Sequence, residues 1–227
     1  MDGRNIRALA ILGLWSQARA AWLLSDDPKA ELRRADDLTA RALALDPNNY
    51  LAHYARAYFL AYQRPDEAIA KAERALALNP SFLPSYIGLW AANWTAGRPK
   101  KAIDYAETGL RLGPRDNPRD PLAYAFLREK GMGLFSLLRY EEAAEAVKES
   151  VAANPEVAPA YLWLTASYAF AGRDAEARET LQRYLALPSG ARSIAQVKRR
   201  QPFESPFLLE VYDRVYQGLR KAGMPEE

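Results

Sequence analysis

The sequence predicts an all-α fold, a right-handed superhelical solenoid of about five helix-turn-helix units followed by C-terminal capping helices. Two observations carry this expectation. The phrase Arg-Ala-Leu-Ala-Leu-Asp-Pro-Asn-Asn ending at Asn49 returns as Arg-Ala-Leu-Ala-Leu-Asn-Pro-Ser-Phe ending at Phe82, which sets Pro47 and Pro80 33 residues apart. Midway through each period a second break recurs: Gln63-Arg64-Pro65, Gly97-Arg98-Pro99, Leu138-Arg139-Tyr140 and Gly172-Arg173-Asp174.

The prolines stop helices, because proline bars the residue before it from the α region. Pro114 continues the frame 34 residues after Pro80, and Pro155 follows with seven extra residues, the insertion around Asp116 to Pro121. The mid-period breaks read as turns between two helices. Glycine tolerates the positive φ that ends a helix, and Pro65 and Pro99 suit a first helical turn. The units are read as 4–47, 48–81, 82–117, 118–156 and 157–189, one solenoid over 1–190, with 191–227 as capping helices of the same domain.

In order along the chain, the first unit has the longest second helix, Pro28 to Leu45, yet Ala35 and Ala42 fall 33 residues before Ala68 and Ala75 and hold the frame. Ala68, Ala75, Ala102, Ala143 and Ala177 are placed where two helices approach closely. Ser193 to Arg200 and Pro206 to Ala222 read as two more helices, the last ended by Gly223 before Pro225, and they are expected to cap the stack with a polar outer face.

These recurrences resemble the tetratricopeptide repeat family, with its W-x2-L-G-x2-Y, A-x3-F, A and P pattern. The partial matches are Phe59, Ala68, Ala72, Ala75 and Pro80 in the second unit; Tyr86, Leu89, Ala102, Ala106 and Pro114 in the third; Leu127, Gly131, Leu134, Ala143, Val147 and Pro155 in the fourth; and Tyr161, Leu164, Tyr168, Ala177 and Leu181 in the fifth. Arg56, Trp90 and Thr165 replace the first-helix glycine, and Gly109 and Ser150 replace a second-helix alanine. Pro202 to Glu226 and Gly113-Pro114-Arg115-Asp116 are similar in texture to bacterial proteins that fuse a class III adenylate or guanylate cyclase domain to such repeats. That likeness implies a regulatory region whose enzyme lies elsewhere.

Charge and composition narrow the function. With 31 basic and 28 acidic residues the net charge is +3, and Arg33-Arg34, Lys100-Lys101 and Lys198-Arg199-Arg200 are too far apart to form one stripe, so no nucleic acid is expected as partner. The absence of cysteine removes disulfides and thiolate chemistry and fits a reducing, cytoplasmic setting. No apolar run reaches the roughly 18 residues of a membrane span, so no membrane partner is expected. Arg4 and Arg7 before Ala8 to Trp15, with Ala18-Arg19-Ala20, mimic a secretory signal, but the helical spacing of Trp15 and Trp22 continues past that cut and favours a first repeat helix.

No catalytic constellation is visible, so the chain is read as no enzyme, with no cofactor and no metal. His53 reads either as a groove ligand or as a helix-surface histidine. Gly131 and Gly133 lack the preceding strand of a phosphate-cradling loop and read as packing glycines. Glu141-Glu142 and Asp36-Asp37 read as solvated helix faces rather than metal ligands.

Repeat stacks line a concave face with their first helices, and the family's register, as the resemblance implies, puts Tyr50, His53, Ala57 and Leu60; Pro84, Ile87, Ala91 and Trp94; Ala125, Arg128, Met132 and Phe135; and Pro159, Leu162, Ala166 and Phe170 on it. Trp15, Arg19 and Trp22 are the first-unit counterparts. Ile87, Ala91, Met132 and Leu162 replace the Lys, Asn and Arg of the family's carboxylate clamp. An apolar, aromatic channel is therefore expected to take a peptide or partner domain, with Trp94, Phe135 and Phe170 as anchors. Roughly half of these rings are expected to pack between repeats instead, and Tyr58, Phe59 and Trp163 to be core on either reading. Two other classes stay open: a small-molecule or lipid sensor using the same channel, and a self-associating array or homodimer formed through the groove or the Phe203 to Tyr216 segment.

Overall fold

The computed structural model describes residues 5–113, 121–201 and 203–227; Arg4, Pro202 and residues 114–120, including Pro114 and most of the expected insertion, lie outside them. Among the described residues there are twelve α-helices and no strand. Five helix pairs come first: α1 (Ile6–Ala21) with α2 (Pro28–Leu45), α3 (Tyr50–Leu60) with α4 (Pro65–Leu78), α5 (Pro84–Thr95) with α6 (Pro99–Leu112), α7 (Pro121–Ser136) with α8 (Tyr140–Ala153), and α9 (Ala158–Phe170) with α10 (Asp174–Ala186). Two further helices follow, α11 (Ile194–Arg200) and α12 (Pro206–Lys221).

Local chemistry sets these boundaries. Asp46, Asn79 and Asn154, each before a proline, take nearly the same extended backbone, with φ of −150°, −146° and −146°. Each also accepts a hydrogen bond from the backbone N–H two residues on, at 2.9, 3.2 and 3.2 Å. The repeated Asx-Pro pair is thus a self-contained turn that stops the second helix of one unit and launches the next. At the mid-unit turns, Gly97, Leu138 and Gly172 share a left-handed backbone, with φ of 73°, 62° and 76°. Asn5, Asp27 and Asn49 cap α1, α2 and α3 through side-chain oxygens that accept from the first helical turn.

The contacts divide the chain into two compact units: one runs to Arg98 and includes Arg200–Phe203, the other comprises Pro99–Arg199 and Glu204–Glu227. The division falls in the turn between α5 and α6, so the third helix pair contributes one helix to each. In unit 1, α3 packs against α1, α2, α4 and α5. Its core at one end is Leu9, Ala10, Leu38, Ala42, Ala52 and Ala55. Arg200 completes this unit by pairing with Asp26 at 2.9 Å, and Phe203 by stacking on Tyr62 with ring centroids 5.0 Å apart.

In unit 2, α7 packs between α6 and α8, while α9 meets α7, α8, α10 and α12. Small residues set the spacing, as the repeat frame requires. A Cβ on Gly131 would lie 2.3 Å from Val147 Cγ2, and one on Gly133 would lie 2.6 Å from Ile103 Cγ1. Both glycines are therefore packing glycines. The two departures from the second-helix alanine also have structural reasons. Gly109 leaves room for the Phe126 ring, whose Cζ would lie 2.3 Å from an added Cβ. Ser150 donates its hydroxyl to the Tyr124 carbonyl at 2.7 Å, a bond alanine cannot make.

Candidate functional site

The first helices carry the expected groove residues, and the structure sorts them by accessibility. In unit 1, Trp15 is 58% exposed and Ile11, one helical turn earlier, 48%. Arg19 is half-buried and pairs with Glu31 at 2.7 Å; Trp22 is half-buried at the end of α1. Tyr50 is half-buried and meets Phe82 edge-on at 4.8 Å. Arg7 and Ile11 of α1, Asn49, Tyr50 and Leu51 at the start of α3, and Phe82 line one shallow hollow.

His53 is not a surface histidine. It is buried, and its Nε2–H donates to the Pro47 carbonyl at 2.8 Å, tying α3 to the Asx-Pro turn that precedes it. Leu60 and Ile87 are buried. Trp94 is fully buried and stacks on Trp90 with centroids 5.2 Å apart. The expected channel is therefore not open at Trp94, because a helix as apolar as α5 is enclosed on all sides, with every residue from Ser85 to Thr95 buried except Tyr86.

In unit 2 the structure brings Phe135 and Phe170 together, 6.0 Å apart, with Trp163 5.5 Å from Phe135. Phe135 is fully buried; Phe170 is half-buried, stacked on Tyr140 at 4.8 Å and overlain by the Lys221 ammonium at 4.4 Å. Met132 and Leu162 are buried too. The channel is closed here for a visible reason: α12 lies on α9, and every residue from Ala158 to Ala169 is buried. Tyr58, Phe59 and Trp163 are buried, the core rings the sequence assigns.

Arg128, expected on the groove, is 2% exposed and lies 3.6 Å from the equally buried Glu129 carboxylate. Burial pushes the Glu129 carboxyl up to about 8, the Arg128 charge opposing but not cancelling it. Adjacent residues of α7 thus hold a charge pair in which desolvation wins. Sequence reading had no signal for it, since Arg-Glu is an ordinary helical dipeptide.

The second feature missed is a set of turn arginines. Arg64 pairs with Glu67 at 2.8 Å, Arg98 with Asp66 at 3.1 Å, Arg139 with Glu142, and Arg173 with both Glu176 and, at 2.8 Å, Glu145. Arg98 and Arg173 each reach back to the preceding helix pair. Hydrogen bonds from these guanidiniums hold Glu142, Glu145 and Glu176 below the usual carboxylate range. The signal was present: an arginine recurs at one place in all four turns. The acidic pairs Asp36-Asp37 and Glu141-Glu142 are exposed, and among the described residues no group of three His, Asp or Glu side chains is placed to hold a metal ion. No helix among them is long and apolar enough to cross a membrane.

No model of a known protein family matches the chain, and neither does any curated protein sequence. Solved structures do match. PilF of Pseudomonas aeruginosa is 17% identical over 96% of this chain and 90% of its own, with a TM-score of 0.62. TTC0263, a thermophilic tetratricopeptide repeat protein of Thermus thermophilus, is 18% identical over 84% and 92%, with a TM-score of 0.60. PilW, a type IV pilus biogenesis factor, is 21% identical over 91% and 90%, with a TM-score of 0.57. Paired helices spaced by glycine and alanine and punctuated by Asx-Pro turns, together with the likeness to these structures, give the chain the fold of tetratricopeptide repeat proteins.

Proposed function

We propose that this chain is a binding scaffold and that unit 1 takes an apolar, aromatic peptide segment on the face formed by α1 and α3. The observation that carries the reading is the exposure of Trp15 and Ile11, side by side on a first helix, next to the hollow lined by Tyr50 and Phe82. Large exposed rings on a repeat helix have the character of interface anchors. The exposed Arg7 lines the hollow and adds positive charge there, so an acidic residue flanking the apolar anchor suits the site. His53, Leu60, Ile87, Trp94, Arg128, Met132, Phe135 and Leu162 are buried support of the first helices, Phe170 is half-buried under Lys221, and Trp15 with the half-buried Arg19, Trp22 and Tyr50 are the residues a partner of unit 1 meets first.

The texture of residues 202–226 supports a nucleotide-cyclase domain as the regulated partner of such a scaffold. The repeat fold shared with a pilus biogenesis factor equally supports an assembly role. Both remain members of the same class, a protein that binds protein.

Selection of peptides from a displayed library on the full chain tests the reading. Selected peptides should lose about tenfold or more in affinity for Trp15→Ala. Undiminished binding to that variant overturns the assignment. Light scattering separates the competing occupant: a wild-type dimer that Trp15→Ala converts to monomer makes this face a self-association surface.

A further inference from the structure

In unit 2 a shallow hollow of about 320 Å³ runs between α7 and α8, on residues that the first-helix register does not select. Its floor is apolar: Leu134 and Ala146 are buried there, and Leu127 is half-buried at the side. Its rim on α8 is acidic, with Glu141, Glu142, Glu145 and Glu149 all exposed, and Lys130 of α7 stands opposite. The stripe Glu141, Glu145, Glu149 follows the spacing of one helix face, so the acids line the hollow along its length.

The rim is not neutralised from within the protein. Lys130 pairs with Glu107 of α6 at 2.8 Å, and Arg139 and Arg173 pair with Glu142 and Glu145. Among the described residues no basic side chain pairs with Glu141 or Glu149. These two acids lie eight residues apart on α8, about 12 Å along its axis, with Ala146 of the apolar floor between them.

Charge decides what this hollow accepts. Exposed carboxylates above an apolar floor repel an anionic peptide, a nucleic acid and an acidic lipid surface, and no group of acids among the described residues is placed to hold a metal ion. They attract a cationic segment that also brings an apolar side chain. A helix laid along α8 has the same rise per residue, so lysines or arginines eight residues apart on it reach Glu141 and Glu149 together. An apolar residue midway between them then falls over the hollow.

We propose that the groove between α7 and α8 docks a basic amphipathic helix of a partner protein, its apolar side chain over Leu127 and Leu134 and its cations on Glu141 and Glu149. This surface goes beyond the α1 face of unit 1 and does not depend on it.

Fluorescence anisotropy on the full chain tests the proposal, the probe being a labelled alanine-rich helical peptide with two lysines eight residues apart and a leucine midway. The wild-type chain should bind it at low salt and lose it as salt rises. Glu141→Gln combined with Glu149→Gln should weaken binding about fivefold while leaving the melting temperature unchanged, since both positions are exposed. Replacing the leucine of the peptide by alanine should weaken binding about tenfold. No binding by the wild-type chain, equal binding by the double variant, or equal binding of a peptide whose two lysines are adjacent overturns the proposal. Trp15→Ala should leave binding of this probe unchanged, so failure of this surface and failure of the α1 surface are read separately.

Discussion

Gly218 and Ala166 meet at a helix crossing where the backbone of one occupies the space a side chain would need on the other. Alanine is the better helix former by about 1 kcal/mol, yet overpacking a close contact costs about 1–3 kcal/mol. Gly218→Ala should therefore destabilise the protein, measured by urea denaturation followed through tryptophan fluorescence. A gain of stability would show that α12 does not sit tightly on α9.

The same logic applies with a different partner at Gly109, where the Phe126 ring fills the space of the family's alanine. Gly109→Ala should cost about 1–3 kcal/mol, and shortening the ring with Phe126→Leu in the same chain should make the alanine less harmful than in the wild-type background. Equal cost in both backgrounds would separate the two residues energetically and refute the packing account.

Leu138 holds the left-handed backbone that Gly97 and Gly172 hold at the same place in neighbouring turns. A branched side chain there carries about 1–2 kcal/mol of strain, against about 0.5–1 kcal/mol for the greater freedom of glycine in the unfolded chain. Leu138→Gly should thus be neutral to stabilising, by up to about 1.5 kcal/mol in chemical denaturation. Gln63→Gly is the control: that turn has no positive φ and should lose stability.

Glu129 gives a pH dependence of defined sign. Its folded carboxyl is raised from 4.5 to about 8, so between those values the folded state holds a proton that the unfolded state releases. Its contribution is complete below pH 4.5 and is lost as pH rises through about 8. Glu129→Gln should flatten the decline of melting temperature across that window and be relatively more stable on its alkaline side. An unchanged slope would place the ionised form in the fold.

What was legible in the sequence is what local chemistry decides. Asp46-Pro47, Asn79-Pro80 and Asn154-Pro155 stop helices through their own backbone and side-chain bonds, so helix ends could be read residue by residue. The faces were less legible. Whether Ala166 or Phe170 meets solvent depends on α12 lying on α9, a contact between residues about fifty positions apart with no local mark beyond a glycine in an amphipathic helix. The division after Arg98 was equally hidden, because Gly97-Arg98-Pro99 is written like the other turns.

Residues 200–203 belong to the first compact unit although the chain on both sides of them belongs to the second. Phe203 on Tyr62 and Arg200 on Asp26 therefore act as a stitch. A chain cut short before Arg200 would leave the first unit without the guanidinium on Asp26 and the ring on Tyr62, although its own helices were all present.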